Sequence, residues 1–235
     1  RHANLIHAIH PREASHLNAY FPRVPIEVIP PGLDLEAVEQ ILADIPPEPN
    51  QPPYLLFLGR LHPVKGIDLL IQAFARLDTP HLRLKIAGPV QPREAAYAAQ
   101  LEKMVQEAGL AQRVEFLGPV QGRQKWELLR RAWAFCLPSH SEVIGMVNLE
   151  AAACRTPVIT TTATGITRTW AESGGMLVET DLAHLVLALN QAARWTEGER
   201  AARGDRLYRL VAAKYSQKAT AARWIELYQL LAGAA

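Results

Sequence analysis

Two carboxylates at a fixed spacing, Glu142 and Glu150, are the clearest chemical feature of this sequence. They lie in the segment PSHSEVIGMVNLEAAACRTPVIT with seven residues between them, where a loop is expected to become a helix near Gly145. The backbone N–H groups of Gly145, Met146 and Val147 would then be unpaired at the start of that helix, which is a natural site for a phosphate. The segment therefore predicts an anion site flanked by two acids.

The two acids are expected to face one cleft from different backbone settings. Glu142 would lie in the loop, and Glu150 one to two turns into the helix, where its carboxylate could accept both hydroxyl hydrogens of a ribose diol. The alternative is structural: Glu142 is an acid of the first helical turn, and Glu150 is a solvated helix residue. Because Leu149 and Ala151 make the helix largely apolar, an unpaired Glu150 would be costly there, which favours a functional role.

A second group of residues, in the segment FLGRLHPVKG, places two cations after a short apolar run. Gly59 allows close approach of the backbone, and Arg60 and Lys65 precede a helix, so these residues suit a diphosphate. Alternatively, both cations are solvated or ion-paired surface residues. The segment contains neither the dinucleotide pattern GxGxxG nor the P-loop pattern GxxxxGK[ST], so NAD-dependent enzymes and P-loop NTPases are not indicated.

Glycines follow three other apolar runs and could shape the rest of a ligand site. Gly88, Gly118 and Gly165 each stand where a strand is expected to end. Together they would leave room for a flat base and a sugar, although each alone could be an ordinary turn glycine. No pair of histidines has the spacing of metal ligands with an acid nearby, so we expect no metal site.

Short apolar runs alternate with amphipathic segments through the middle of the chain. Strands are predicted at 54–59, 82–88, 113–118, 134–139, 157–161 and 175–178, and helices at 65–77, 93–109, 122–132 and about 145–154. This alternation predicts an α/β fold with a doubly wound, Rossmann-like parallel sheet. Ligands of such sheets bind at the carboxyl ends of the strands, where the residues described above fall.

The two ends of the chain have a different pattern. Residues 1–30 indicate a strand, a helix and a strand, and the segment 43–53 contains five prolines and indicates a stiff linker at a domain boundary. From Asp181 onward the pattern is helical, with breaks expected near Glu197–Gly198 and near Ser216.

Composition excludes several classes of protein. The chain has 235 residues, 49% of them hydrophobic, and a formal net charge of +2, so neither nucleic acid nor an acidic membrane surface is indicated as a partner. Its apolar runs are all shorter than the roughly 18 residues of a membrane span. The two cysteines, Cys136 and Cys154, lie in apolar stretches and are expected to be buried thiols of a reducing compartment. We therefore expect a cytoplasmic protein, with peripheral attachment to the inner membrane through another domain as an alternative.

Taken together, these motifs resemble a known family. The chain is similar to the C-terminal, donor-binding half of a retaining GT-B glycosyltransferase of family 4, the glycosyl transferases group 1. The similarity covers most of residues 25–180, in the family's order and spacing, and Glu142 to Glu150 reproduces its E-x7-E motif. The matching segments are PPGLD (30–34), FLGRLHPVKGIDLLIQAFARL (57–77), LKIAG (84–88), RVEFLGPV (113–120) and PSHSEVIGMVNLEAAACRTPVITT (138–161).

The resemblance implies roles for individual residues. Arg60 and Lys65 correspond to the pair that holds the donor diphosphate, and Glu142 to the acid that contacts hydroxyls of the donor sugar. Glu150 corresponds to the acid that binds the nucleotide ribose. The helix amides would hold the distal phosphate, and the region of Gly118 to Val120 would line the base pocket. The donor-binding residues implied in this way are Gly59, Gly88, Gly118, Val120, Gly145, Met146, Val147 and Glu150.

The resemblance also implies a mechanism. Cations and helix amides stabilise the departing phosphate, so transfer needs neither a metal nor a resident cofactor, and the nucleoside-diphosphate sugar is the donor substrate. Retention would follow from attack on the same face, with the leaving phosphate assisting deprotonation of the acceptor. The acceptor itself, a glycan, lipid or small molecule, is not indicated.

Five positions depart from the family pattern. Val143 and Ile144 replace a small residue or proline and an aromatic residue, and Arg155 stands where glycine is common. Thr164 replaces the first of a glycine pair, and Arg168 replaces an acid. These departures concern the sugar side of the site more than its phosphate and ribose sides.

Family members are two-domain proteins roughly twice as long, so we expect this chain to be part of a longer polypeptide. Residues 1–45 would be the end of the N-terminal domain plus a linker, 46–216 the nucleotide-sugar-binding domain, and 217–235 a helix that crosses back. The remaining lobe, a partner chain, or self-association through residues 1–40 would cover the exposed face.

Two other functions remain open from the sequence. The chain could be a non-catalytic module that binds a nucleotide sugar or a partner subunit, or another GT-B enzyme of phosphorylase-like or epimerase type with the same phosphate site.

Overall fold

A computed structural model describes residues 3–46 and 52–233. The strands are β1 (Ile6–Ala8), β2 (Ile26–Val28), β3 (Tyr54–Leu58), β4 (Arg83–Ala87), β5 (Val114–Gly118), β6 (Ala134–Leu137), β7 (Val158–Thr161) and β8 (Met176–Val178). The helices are α1 (Pro11–Tyr20), α2 (Leu35–Ala43), α3 (Ile67–Phe74), α4 (Ala95–Glu107), α5 (Gly122–Arg131), α6 (Met146–Ala153), α7 (Arg168–Glu172), α8 (Leu182–Ala193), α9 (Glu197–Lys214) and α10 (Gln217–Gly233).

The main sheet confirms the predicted α/β, doubly wound fold. Its six strands are parallel and lie in the order β5-β4-β3-β6-β7-β8, so the order reverses between β3 and β6. Every residue of β3, β6 and β7 is buried, which explains why these strands are almost continuous apolar runs. Helix α3 packs against α4 and α8, and α6 packs against α5 and α9.

A second, small parallel sheet is formed by β1 and β2, with α1 between them in sequence. Helix α10 returns to it: Arg223 forms an ion pair with Glu27 at 2.8 Å, and the ring of Trp224 lies 4.5 Å from that of His7. The two connections to the main sheet run side by side, because the backbone N–H of Leu33 donates to the carbonyl of Tyr215 at 2.7 Å. The division at residues 45 and 216 stays a prediction.

The structure corrects the predicted ends of some elements. Helix α3 begins at Ile67 rather than at residue 65, because Pro63–Lys65 forms a 3-10 turn that ends at Gly66 with a φ of +66°. Helix α4 spans 95–107 rather than 93–109, since a 3-10 turn precedes it.

The predicted helix break near Glu197–Gly198 is present slightly earlier, at residues 194–196. Helix α8 ends before Arg194, and α9 begins at Glu197 with Thr196 as its cap. Thr196 and Glu199 form a reciprocal capping box, whose T-x-x-E signature places the helix start before Gly198. The break near Ser216 is confirmed, between α9 and α10.

The predicted linker is described only at its two ends. Ala43 closes α2, and β3 begins at Tyr54, whereas 47–51 lie outside the described residues. In the part of the chain that the structure describes, no helix is long and apolar enough to cross a membrane.

Candidate functional site

The reversal of strand order between β3 and β6 creates a crevice, and two loops meet there. The backbone N–H of His140, after β6, donates to the carbonyl of Val64, after β3, at 2.8 Å. Gly66 permits this contact: its φ is +66°, and a Cβ there would overlap with the Pro138 carbonyl oxygen. In doubly wound sheets this switch point is where ligands bind.

Lys65 and Glu142 come together at this point. The Lys65 ammonium forms an ion pair with Glu142 Oε1, and both side chains are largely buried, at 16% and 17% exposure. The hydroxyl of Ser139 donates to the same carboxylate oxygen at 3.3 Å. A predicted diphosphate cation and a predicted sugar-binding acid, 77 positions apart in sequence, are therefore direct neighbours.

The loop that carries Glu142 is held from its other side by the segment after β7. The backbone N–H of Glu142 donates to the carbonyl of Ala163 at 3.0 Å. Gly165 has a φ of +70°, and a Cβ there would overlap with the Val143 carbonyl oxygen and lie 3.5 Å from Cδ2 of His10. Gly165 thus lets three segments, including the one that begins α1, meet beside Glu142.

Helix α6 begins in the same crevice without a side-chain cap. Gly145 is its N-cap residue, and Met146 and Val147, its first two residues, are half-buried. The N–H of Asn148 already donates to the Gly145 carbonyl at 2.8 Å. No side chain of the described residues caps this helix start, and the anion site expected at Gly145, Met146 and Val147 stays a prediction.

Helix α3 begins on the β3 side of the crevice, and its first turn has partners within the chain. The Tyr97 hydroxyl donates to Asp68 Oδ1 at 3.0 Å and accepts from the Asp68 N–H at 3.4 Å. Burial, assisted by the Asp68 charge, raises the pKa of Tyr97 well above its usual range, so the phenol keeps its proton. Of the two helix starts, α6 is the one whose first backbone N–H groups have no side-chain acceptor among the described residues.

Glu150 lies on α6 and faces α5. Its Oε1 accepts a hydrogen bond from the ammonium of Lys125 at 3.0 Å, and the side chains are 17% and 25% exposed. Glu150 is therefore neither solvated nor unpaired. It lies beside the helix that follows the β5 loop, which carries Gly118 and Val120.

The remaining predicted residues line the ends of β3, β4 and β5. The N–H of Gly59 donates to Ala87 at 2.9 Å, and that of Gly88 donates to Gly118 at 2.8 Å. Gly88 has a different role from the expected one: a Cβ there would overlap with the Gly59 carbonyl oxygen, so this glycine brings two strand ends together. Gly118 has no atom within 4 Å of the equivalent position and does leave open space.

Arg60 and Val120 lie next to those strand ends. Arg60 is exposed and makes no ion pair with the described residues. Val120 is half-buried and packs against the core. The structure thus brings Lys65, Glu142 and the α6 terminus together, and places Glu150 on the neighbouring wall.

A family model supplies the decisive comparison. The model described as glycosyl transferases group 1 matches residues 39–200, more than half of the chain. The chain belongs to this family. The predicted membership of a glycosyltransferase family is thereby confirmed.

Individual members and solved structures agree with the family. The D-inositol 3-phosphate glycosyltransferase of Mycolicibacterium smegmatis is 31% identical over 159 residues, which are 68% of this chain and 35% of that protein. The chain thus spans well under half the length of this curated relative. Sucrose-phosphate synthase from Thermosynechococcus elongatus is 27% identical with a TM-score of 0.84, covering 100% of this chain and 60% of that one.

A more distant structure has the same fold. Anabaena HepE in complex with UDP is 20% identical with a TM-score of 0.83, and the match covers 97% of this chain and 64% of that chain.

Two polar contacts in this member of the family involve residues to which the sequence assigned no definite role. His62 caps the 3-10 turn before Gly66: its Nδ1 accepts from the Val64 N–H at 3.1 Å, and its Nε2 lies 3.3 Å from the buried Glu94. A histidine just before a proline at a helical start was the available signal. Lys125, by contrast, had no local signal, because its contact with Glu150 depends on the packing of α5 against α6.

The cysteines and the histidines give no other centre in the described part of the chain. Cys136 and Cys154 are buried free thiols, and burial raises the pKa of Cys154 to about 12. Among the described residues, no three His, Cys, Asp or Glu side chains are grouped closely enough to hold a metal ion.

Proposed function

We propose that this chain is the donor-binding lobe of a retaining, metal-independent glycosyltransferase that moves a sugar from a nucleoside-diphosphate sugar to an acceptor. One observation carries the proposal: Lys65, Glu142 and the uncapped start of α6 converge at the switch point of the sheet. A cation, a carboxylate and free helix amides in one crevice match a ligand that has a diphosphate joined to a hydroxyl-rich ring.

The proposed transfer places each residue at a stated part of the donor. Lys65 and the exposed Arg60 hold the diphosphate, and the amides of Met146 and Val147 bind its distal phosphate. Glu142 accepts hydrogen bonds from hydroxyls of the sugar. The positive charge and the amides stabilise the negative charge that develops on the leaving diphosphate, which is the main electrostatic task in such a reaction.

The bonds of the proposed step are the following. The bond between the anomeric carbon and the diphosphate oxygen breaks, and its electron pair stays on the diphosphate. The acceptor oxygen forms the new bond on the same face, and its proton passes to the departing phosphate oxygen. The product keeps the anomeric configuration, and no redox partner is needed. In the proposed scheme, side-chain cations and amides carry the charge stabilisation that a metal would otherwise supply.

UDP is the first nucleotide to test, because the fold neighbour HepE was solved with UDP. The relative's D-inositol 3-phosphate is the acceptor to offer first in a transfer assay. The buried free thiols accord with a reducing, cytoplasmic setting. The alternative, a module that binds nucleotide sugar without transfer, shares the binding site and differs only in turnover.

The test is calorimetric titration of the chain with UDP, GDP and ADP, beside the variants Lys65→Ala and Glu150→Ala. We expect one nucleotide to bind, and each variant to weaken it about tenfold or more, the value of one lost charge-assisted contact. The matched controls are Lys103→Ala and Glu107→Ala, which break an exposed ion pair on α4. Absence of binding by all three nucleotides, or equal binding by the variants, would overturn the proposal. Nucleotide binding with no transfer even when the second lobe is supplied would favour the non-catalytic module.

A further inference from the structure

Lys125 has no role in the site predicted from the sequence, yet it contacts a proposed nucleotide-binding residue. Its ammonium donates to Oε1 of Glu150 at 3.0 Å and lies 4.2 Å from the ring centre of Trp126. The side chain is 25% exposed, which is low for a lysine. Two contacts fix the ammonium in a largely buried position beside the wall of the crevice.

The ion pair with Lys125 leaves one carboxylate oxygen of Glu150 without a hydrogen bond from the described residues. Oε1 is occupied by Lys125, whereas Oε2 makes no hydrogen bond with the described residues. The nearby Cys154 does not compete for the lysine, because burial keeps its thiol protonated. The guanidinium of Arg130, the other cation of α5 near this helix end, is exposed.

We propose that Lys125 is a positioning and specificity-determining residue of the nucleotide site. It holds one oxygen of Glu150 and leaves Oε2 as the stronger acceptor for one hydroxyl of the ribose. It also balances the Glu150 charge, so that a diphosphate can approach without repulsion from a largely buried carboxylate. This inference rests on the proposed function, since it assigns the ribose to Glu150.

The pair therefore predicts unequal use of the two ribose hydroxyls. A carboxylate with both oxygens free could bind a diol through both, as the sequence alone suggests. With Oε1 already accepting from the ammonium, Oε2 is the stronger acceptor of Glu150, so we expect one ribose hydroxyl to contribute more than the other. Removing that hydroxyl from the nucleotide should weaken binding, and removing the other should matter far less.

The first experiment compares the protein with Lys125→Met, which keeps the length and apolar stem of the side chain and removes its charge. The ligands are UDP, 2′-deoxy-UDP and 3′-deoxy-UDP, or the same series of whichever nucleotide binds. For the unmodified protein we expect the two deoxy nucleotides to differ about tenfold in Kd, the loss of one charge-assisted hydrogen bond. In the variant, UDP should bind about tenfold more weakly, and the two deoxy nucleotides should become nearly equal.

Two further variants separate positioning from general stability. Lys125→Arg keeps the charge, and we expect it to restore most of the UDP affinity. Lys103→Met removes the lysine of the exposed pair with Glu107 and should leave every Kd unchanged. Equal UDP affinity and an unchanged deoxy ratio in Lys125→Met would overturn the inference.

A double-mutant cycle keeps the inference testable if Lys125→Met folds poorly. In Lys125→Met/Glu150→Gln no unpaired charge is left behind, and this variant should bind UDP as weakly as Glu150→Gln alone, because the lysine acts through the carboxylate. Weaker UDP binding by the double variant than by Glu150→Gln alone would overturn the positioning role and would indicate that the ammonium contacts the nucleotide itself. Failure of UDP, GDP and ADP to bind the unmodified protein would instead refute the proposed function.

Discussion

The two acids of the E-x7-E motif each have a lysine partner, but the two ion pairs are constructed differently. Lys65 and Glu142 join two loops, and the hydroxyl of Ser139 shares the carboxylate oxygen. Lys125 and Glu150 join two helices, α5 and α6, and the ammonium also lies over an indole ring. Both acids are 17% exposed, so burial does not distinguish them.

The backbone setting suggests what a donor would do to each pair. In the proposed site, the diphosphate requires Lys65 and the sugar requires Glu142, so donor binding must separate these two side chains. Lys125 and Glu150 can stay together, because one carboxylate oxygen is free for the ribose. A pair between loops can open at small cost, whereas a pair between packed helices keeps its geometry.

The largest expected effect is a loss of stability from a substitution beside the loop that carries Glu142. Gly165→Ala would place a Cβ against the Val143 carbonyl at a φ of +70°, so we expect a loss of about 3 kcal/mol in the free energy of unfolding. Gly109→Ala is the matched control: its φ is +67° with open space around the Cβ position, and it should cost about 1 kcal/mol.

Urea unfolding of both variants measures this difference. Equal destabilisation by Gly165→Ala and Gly109→Ala would show that the segment after β7 can move away from Val143 at little cost, so that it does not fix the position of the Glu142 loop.

The next effect distinguishes the two acids by the sign of the change. Glu142→Gln frees Lys65 from its ion pair, so UDP should bind a few-fold more tightly. Glu150→Gln removes the ribose acceptor, so UDP should bind about tenfold more weakly. Calorimetric titration of both isosteric variants checks the signs, and a loss of UDP affinity in both would show that Glu142 contributes to nucleotide binding.

The sequence was sufficient to predict the fold and the common site of Lys65 and Glu142. Short buried runs identified β3, β6 and β7, and the segments around the ends of β3 and β6 carry the motifs that resemble the family. That Lys65 and Glu142 lie at one site followed from the rule that ligands bind at the carboxyl ends of the strands, whereas their direct ion pair is a finding of the structure. A capping box at Thr196 and Glu199 was visible in the sequence, and it explains the misplaced helix break.

The contact between Lys125 and Glu150 could not have been predicted from the sequence. Lys125 meets Glu150 only because α5 packs against α6, and no local periodicity reports which faces of two helices touch. Gly88 looked like a residue that opens space, yet its neighbour across the sheet is the carbonyl of Gly59. Both facts depend on tertiary contacts between segments distant in sequence.

The smallest expected effect is a pH dependence of the free energy of unfolding, through His10, which lies against Gly165. His10 caps α1, where its Nδ1 accepts from the Arg12 N–H at 3.0 Å, and its ring lies against Gly165. Burial lowers the pKa of His10 below its ordinary value of 6.5, so the unfolded chain binds the proton more tightly than the folded one. The stabilising contribution of neutral His10 is therefore complete above pH 6.5 and is lost as pH falls from there through the lowered pKa.

Asparagine at this position keeps a helix cap and does not titrate. The free energy of unfolding of the unmodified protein, relative to His10→Asn, should therefore rise between pH 5 and pH 7 and then level off. Urea unfolding at half-unit pH steps measures the difference, and parallel profiles for the protein and His10→Asn would contradict it.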